Sequence, residues 1–131
     1  MTYDAVLFDL YDTVAWSDWQ TWQGGFADLL DISHDAMGRA FGQTRAARSV
    51  GANPDIEADL TAVIRAADVD PEPDLVAEVL QLEREMGVSV RLYEDSLEVV
   101  SALRARGTPT ALVSNCSHNT RPIVDRLGLE R

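Results

Sequence analysis

Hydrophobic positions follow two rhythms along this chain. Near each end they run together, as Ala5-Val6-Leu7-Phe8 and Ala111-Leu112-Val113, and each run closes on polar residues. Short continuous apolar runs predict strands buried on both faces, the usual state of central parallel strands. Between the runs the spacing changes to three and four. A first helix is predicted from Asp18 or Trp19 to about Ile32, with Gly24-Gly25 weakening its middle. Ser33 caps a second helix that carries Met37, Ala40 and Phe41 on one face. Asn53-Pro54 reads as an N-cap with proline at the first helical position, followed by an apolar stripe of Ile56, Leu60, Val63, Ile64 and Ala67. Pro73 opens a fourth helix with Leu75, Val76, Val79, Leu80 and Leu82. Asp95 and Glu98 form a capping box for the helix bearing Leu97, Val100 and Leu103, which Gly107 ends. Thr108 to Asn115 is the second strand. Ser117 or Asn119 starts a last helix through Ile123, Val124 and Leu127, closed by Gly128.

Both apolar runs end in residues able to do chemistry. Open α/β sheets place their ligands at the carboxyl ends of parallel strands, and Asp9 stands at that position after Phe8, with Asp12-Thr13 supplying turn chemistry. Ser114-Asn115 ends the second run in the same way.

The segment Phe8-Asp9-Leu10-Tyr11-Asp12-Thr13-Val14 resembles the first motif of the haloacid dehalogenase superfamily. There a nucleophilic Asp is followed by a second Asp two residues on and a Thr four residues on. Asp9 and Thr13 match, while Tyr11 occupies the second acidic position and Asp12 a position where dehalogenases usually have Gly. Ala111-Leu112-Val113-Ser114-Asn115 is similar to the second motif, and Leu92-Tyr93-Glu94-Asp95 resembles the return from a helical cap. The resemblance implies an α/β fold, an incomplete Rossmann-like parallel-sheet core (residues 1–15 and 89–131) with an inserted all-helical cap (residues 16–88).

It also implies a hydrolase acting on a small anionic substrate, a phosphate ester or a 2-haloacid. Asp9 would form a covalent aspartyl intermediate, which suits a carboxylate already ionised at neutral pH. Thr13 would orient the Asp9 carboxylate, Ser114 would hydrogen-bond a substrate oxygen, and Asn115 would add a donor. In phosphatases of the superfamily the residue at the Tyr11 position is an acid and base whose carbonyl helps bind magnesium, with the nucleophile as a ligand. A phenol with a pKa of about 10 serves that role poorly. Dehalogenases carry Tyr there and work without metal. They use a cap arginine for halide and carboxylate, which points to Arg39 among Arg39, Arg45 and Arg48. Magnesium, with Asp9 as its ligand, is thus expected to bind weakly or not at all.

Two further superfamily motifs, a basic residue beside the nucleophile and an acidic cluster, are not found in this sequence. The two-stranded sheet is therefore expected to self-associate along the free edge of its first strand. The competing reading is a non-catalytic truncated homologue or fragment that serves as an interaction module.

Composition narrows the partners. The net charge of −11, with all eleven basic residues Arg, argues against a nucleic-acid surface. No run reaches the roughly 18 apolar residues of a membrane span, and no signal peptide is evident. A single cysteine, Cys116, excludes an intrachain disulfide and makes the reducing cytoplasm the expected compartment. Trp16, Trp19 and Trp22 fall on one helical face and are expected to pack within the cap. His118 is expected as a surface or capping residue.

Overall fold

The structure is a computed structural model that describes residues 3–129. Residues 1, 2, 130 and 131 of the expected core lie outside the described residues. In chain order the elements are β1 (Val6–Phe8), β2 (Ala15–Trp16), α1 (Trp19–Leu29), α2 (His34–Ser49), α3 (Ile56–Ala66), α4 (Pro73–Ser89), β3 (Arg91–Leu92), α5 (Ser96–Ala105), β4 (Thr110–Leu112) and α6 (Thr120–Leu127). This is a small parallel sheet with six helices among the described residues, a partial Rossmann-like α/β arrangement.

The chain divides into two compact units: Met1–Ser17 with Val90–Asn115, and Asp18–Ser89 with Cys116–Arg131. In the first unit β1 and β4 pair in parallel, with Val6 opposite Thr110 and Phe8 opposite Leu112. The Val113 N–H extends the ladder by donating to the Phe8 carbonyl at 2.8 Å. β2 and β3 form a second, antiparallel pair, Ala15 opposite Leu92. That pairing holds together the two strands through which the chain leaves for the helices and returns.

The apolar strands are not buried on both faces as expected. Leu7 is 67% exposed and Val113 59% exposed. Each strand has one hydrogen-bonded neighbour among the described residues, and Leu97 and Val99 of α5 are themselves exposed. Burial in this unit gathers instead at Leu10, Val14, Ala15 and Val90. The expected capping box of α5 does not form. Asp95 takes a right-handed helical conformation and its side chain makes no cap bond. The Ser96 N–H donates to the Tyr93 carbonyl instead, at 3.1 Å.

The second unit contains the larger apolar core, with Trp22, Phe26, Met37, Phe41, Leu60, Ile64, Val79 and Met86 among its buried residues. Its helices begin where capping chemistry allows. Asp18 accepts from the Thr21 N–H and hydroxyl, Ser33 accepts from the Ala36 N–H, and Pro73 opens α4. Those two bonds from Thr21 hold the Asp18 carboxyl below its ordinary value. The cap of α3 is Asp55, which accepts from Ala58 N–H, rather than the expected Asn53. Asn53 is committed elsewhere, donating to Asp59 Oδ1 at 2.8 Å.

Gly24 and Gly25 do not interrupt α1. A Cβ at Gly24 would come within 3.2 Å of the His34 ring, and one at Gly25 within 3.3 Å of Met86, so these positions permit close packing. Trp16 lies on β2 and not on the helical face with the other tryptophans. Trp19 meets Phe41 and Trp22 edge to face, at 4.9 and 6.3 Å between ring centroids, and Phe41 leans on Phe26 at 5.5 Å.

Of the segment expected in the sheet core, residues 116–129 group with the helices. α6 buries Ile123 near Gly87, and Arg126 donates to the Gly87 carbonyl at 3.0 Å.

Phe26 is 1% exposed within this aromatic cluster. Phe26→Ala is expected to cost about 3–5 kcal/mol, mostly from the cavity left behind, as read from urea unfolding.

Candidate active site

Asp9 follows β1 directly, and the chain then folds into a tight loop. The Val14 and Ala15 N–H groups both donate to the Leu10 carbonyl, at 3.0 and 2.9 Å, and the Asp12 N–H donates to the Ala15 carbonyl at 2.8 Å. Leu10 is fully buried at the loop's base. Asp9 Oδ1 accepts the Leu10 N–H at 2.8 Å, which fixes the exposed carboxylate against the backbone that follows it.

Two bonds pin the loop from the return strand. Ser96 Oγ donates to the Val14 carbonyl at 2.8 Å, a buried contact spanning 82 residues, and the Tyr93 N–H donates to the same oxygen at 3.1 Å. Ser96 was not among the residues expected to matter; its only mark in the sequence is a hydroxyl opening the helix that follows the second linker strand.

Asp12 has φ of +58°, in the left-handed region that Gly, Asn and Asp tolerate best. This conformation explains why Gly or a short polar residue suits the position. Tyr11 is half-buried and bridges to Ala15. Thr13 is exposed, and no hydrogen bond from it to Asp9 occurs among the described residues.

The parallel pairing of β1 with β4 brings Asp9 and Ser114 to adjacent strand ends. Ser114 is half-buried and Asn115 exposed. Asp9, Tyr11, Thr13, Ser114 and Asn115 all belong to the first unit. Arg39 is exposed on α2, in the second.

The helical unit holds a separate polar ring. Asn53 donates to Asp59, the His118 Nε2–H donates to the Asn53 carbonyl at 2.8 Å, and Asn119 Nδ2 donates to Glu83 Oε1. His118, expected as a surface or capping residue, is half-buried and bonded to the Asn53 carbonyl. Arg48 closes the ring electrostatically, attracted to both Asp59 and Glu83, while it donates to Thr44 Oγ1 and the Phe41 carbonyl at 3.1 Å each. Burial pulls the Arg48 guanidinium below its ordinary pKa, and the two carboxylates oppose that shift. Burial likewise pushes the Glu83 carboxyl up, against the Asn119 hydrogen bond and Arg48. Asp59 is fully buried, and its Oδ2 has no hydrogen-bond partner.

No group of three or more His, Cys, Asp or Glu able to hold a metal ion occurs among the described residues.

No protein-family model matches the chain, and no curated protein sequence matches it. Solved structures do. A HAD family hydrolase from Deinococcus radiodurans R1, crystallised with bound phosphate and sodium, superposes with a TM-score of 0.55 at 21% identity, covering 97% of this chain and 53% of that one. A dehalogenase crystal structure gives 0.53 at 19%, covering 97% and 58%. The L-2-haloacid dehalogenase from Xanthobacter autotrophicus, with chloropropionic acid covalently bound, gives 0.55 at 16%, covering 98% and 53%. The chain thus has, in part, the fold of the haloacid dehalogenase-type hydrolases, and it spans little more than half the length of these structures.

Asp12→Val should destabilise the chain by about 1–2 kcal/mol, because a β-branched residue disfavours positive φ, whereas Asp12→Gly should stay within about 1 kcal/mol of wild type. Thermal unfolding of the two variants checks the difference. A second expectation concerns pH. With its pKa raised in the folded state, Glu83 adds stability fully below its ordinary value of 4.5 and loses that contribution as pH rises through the folded value. Wild type should therefore gain stability on mild acidification relative to Glu83→Gln, which cannot titrate there. Parallel denaturant midpoints across that pH range measure it.

Proposed function

We propose that this chain carries the nucleophile and the anion-holding strand end of a hydrolase for small anionic substrates, either phosphate esters or 2-haloacids. The observation that supports this best is the parallel register of β1 and β4, which sets the exposed Asp9 carboxylate beside the Ser114 strand end. Likeness of fold to phosphate-bound and covalently trapped hydrolases is consistent with it.

In this reading an Asp9 oxygen attacks the phosphorus, or the carbon bearing the halogen. The alkoxide or halide leaves with the bonding electrons, and Asp9 becomes an acyl phosphate or an ester. Water then hydrolyses that bond, releasing product and restoring the carboxylate. The Leu10 N–H holds Oδ1, leaving Oδ2 as the attacking atom. Ser114 Oγ and the Asn115 amide donate to the substrate anion, and Thr13 steadies Asp9 once substrate is bound. Arg39 supplies positive charge for a carboxylate or halide.

Tyr11 favours the haloacid branch. A phenol at this position offers a hydrogen-bond donor rather than the carboxylate base that phosphate transfer takes there. The rival reading is a non-catalytic homologue, and the two part on activity.

Asp9→Asn keeps the shape but removes the charge and most of the nucleophilicity, so any hydrolysis should fall by at least about 100-fold. Chloride release from 2-chloropropionate and phosphate release from p-nitrophenyl phosphate, each with and without magnesium, provide the assay. Activity of Asp9→Asn within tenfold of wild type, with deamidation excluded by mass, would sink the assignment. No turnover by wild type on either substrate would favour the non-catalytic reading.

A further inference from the structure

Hydrogen bonds run link by link from the start of α5 to the Asp9 carboxylate, and every residue in the series belongs to the first unit. Ser96 Oγ donates to the Val14 carbonyl at 2.8 Å. That carbonyl shares its peptide plane with the Ala15 N–H, which points the opposite way across a trans bond. The Ala15 N–H donates to the Leu10 carbonyl at 2.9 Å, and the Val14 N–H reaches the same oxygen at 3.0 Å. Leu10 in turn gives its own N–H to Asp9 Oδ1 at 2.8 Å. The backbone of Leu10, a fully buried residue, is thus the one covalent joint inside the series.

Ser96 is the first residue of α5, where a serine hydroxyl ordinarily bonds to backbone groups close by in the chain. The N-cap residue Asp95 makes no side-chain cap bond, yet the Ser96 hydroxyl goes to a carbonyl 82 residues away rather than to the helix start. Ser96 is itself buried, as are Val14, Ala15 and Leu10, through which it reaches. In such surroundings successive hydrogen bonds polarise and strengthen one another. The Val14 carbonyl does not need Ser96 to be satisfied, because the Tyr93 N–H also donates to it, at 3.1 Å. What the hydroxyl adds is direction. Two donors arriving from two points fix a peptide plane that one donor would leave free to rock.

We infer that Ser96 is a positioning residue for Asp9: its hydroxyl fixes the Val14–Ala15 peptide, that peptide fixes Leu10, and the Leu10 N–H sets the rotamer of the carboxylate. This rests on the proposed role of Asp9 as nucleophile, since attack requires an oxygen held in line with the reacting atom. Ser96 acts on that oxygen through the backbone.

The test compares Ser96→Ala, which deletes the hydroxyl, with Ser96→Thr, which keeps it. Asp9 Hα–Hβ couplings report the side-chain rotamer and need no turnover. Wild type and Ser96→Thr should show one dominant χ1 well, and Ser96→Ala an average over the staggered wells. Amide exchange at Val14 and Ala15 should quicken at least about tenfold in Ser96→Ala, while Val6 and Val113, bonded to the Pro109 and Phe8 carbonyls, keep wild-type rates. Where wild type turns over 2-chloropropionate or p-nitrophenyl phosphate, kcat of Ser96→Ala should fall at least about tenfold with KM within about twofold, and Ser96→Thr should restore it. Should Ser96→Ala fail to fold, Ser96→Cys, which keeps the shape with only a weak donor, takes its place with the same expectations. An unchanged Asp9 rotamer in the variant without the hydroxyl would overturn the inference. So would equal acceleration at Val6, Val113, Val14 and Ala15, because a merely structural serine loosens the unit as a whole. Loss of the single Asp9 rotamer in Ser96→Ala, with no hydrolysis by wild type, would defeat the nucleophile proposal and leave the positioning intact.

Discussion

The Val14 carbonyl is the point on which the first unit depends. It accepts both Ser96 Oγ and the Tyr93 N–H, joining the loop after β1 to the chain that returns from the helices. Loop closure over more than 80 residues costs entropy that grows only slowly with length. Two directed hydrogen bonds at a buried site, with fully buried Leu10 and Ala15 beside them, can offset it. Without that junction β2 would lose its alignment with β3, and the strands carrying the chain out to the helices and back would separate. The loop's shape is equally what aims Asp9. Leu10 turns inward, its N–H takes Oδ1, and the carboxylate is left at the strand end facing solvent.

Much of this was legible in the sequence because it is local. The apolar stripes of α2, α3 and α4, the Ser33 cap, Pro73 at a helix start and the positive φ at Gly107 and Gly128 each follow from neighbours within a few residues. Asp9 and Ser114 were legible too, as polar residues ending apolar runs, and their pairing followed once both runs were read as parallel strands. The β2–β3 pair was not. Two residues are too few to show alternation, and their pairing spans the whole helical insertion. The cap of α3 went to Asp55 because a distant carboxylate, Asp59, claims Asn53. Local propensity allowed both caps, and tertiary structure chose between them.

The polar ring was hidden for a related reason, though its signal was present. Glu83 recurs with Val76, Val79 and Met86 at spacings of three and four, and Asp59 sits on the buried face that Leu60 and Val63 also line. A carboxylate in such a stripe demands a partner. Periodicity marks the demand but cannot say that Asn119 and Asn53 meet it, because those residues lie 36 positions downstream and six positions upstream. The last helix was assigned to the sheet because it follows a strand. In the structure its Ile123, Arg126 and Asn119 all find partners around α4.

The departures at Tyr11 and Asp12 look alike in sequence but act at different levels. Asp12 is a backbone matter. Its φ of +58° is set by the loop, so any residue that tolerates the left-handed region preserves the position of Asp9. Tyr11 is a chemical matter. It bridges to Ala15 through the main chain, and its side chain is half-buried. The left-handed turn at Asp12 and the bridge at Tyr11 are thus both backbone features of the loop that follows Asp9.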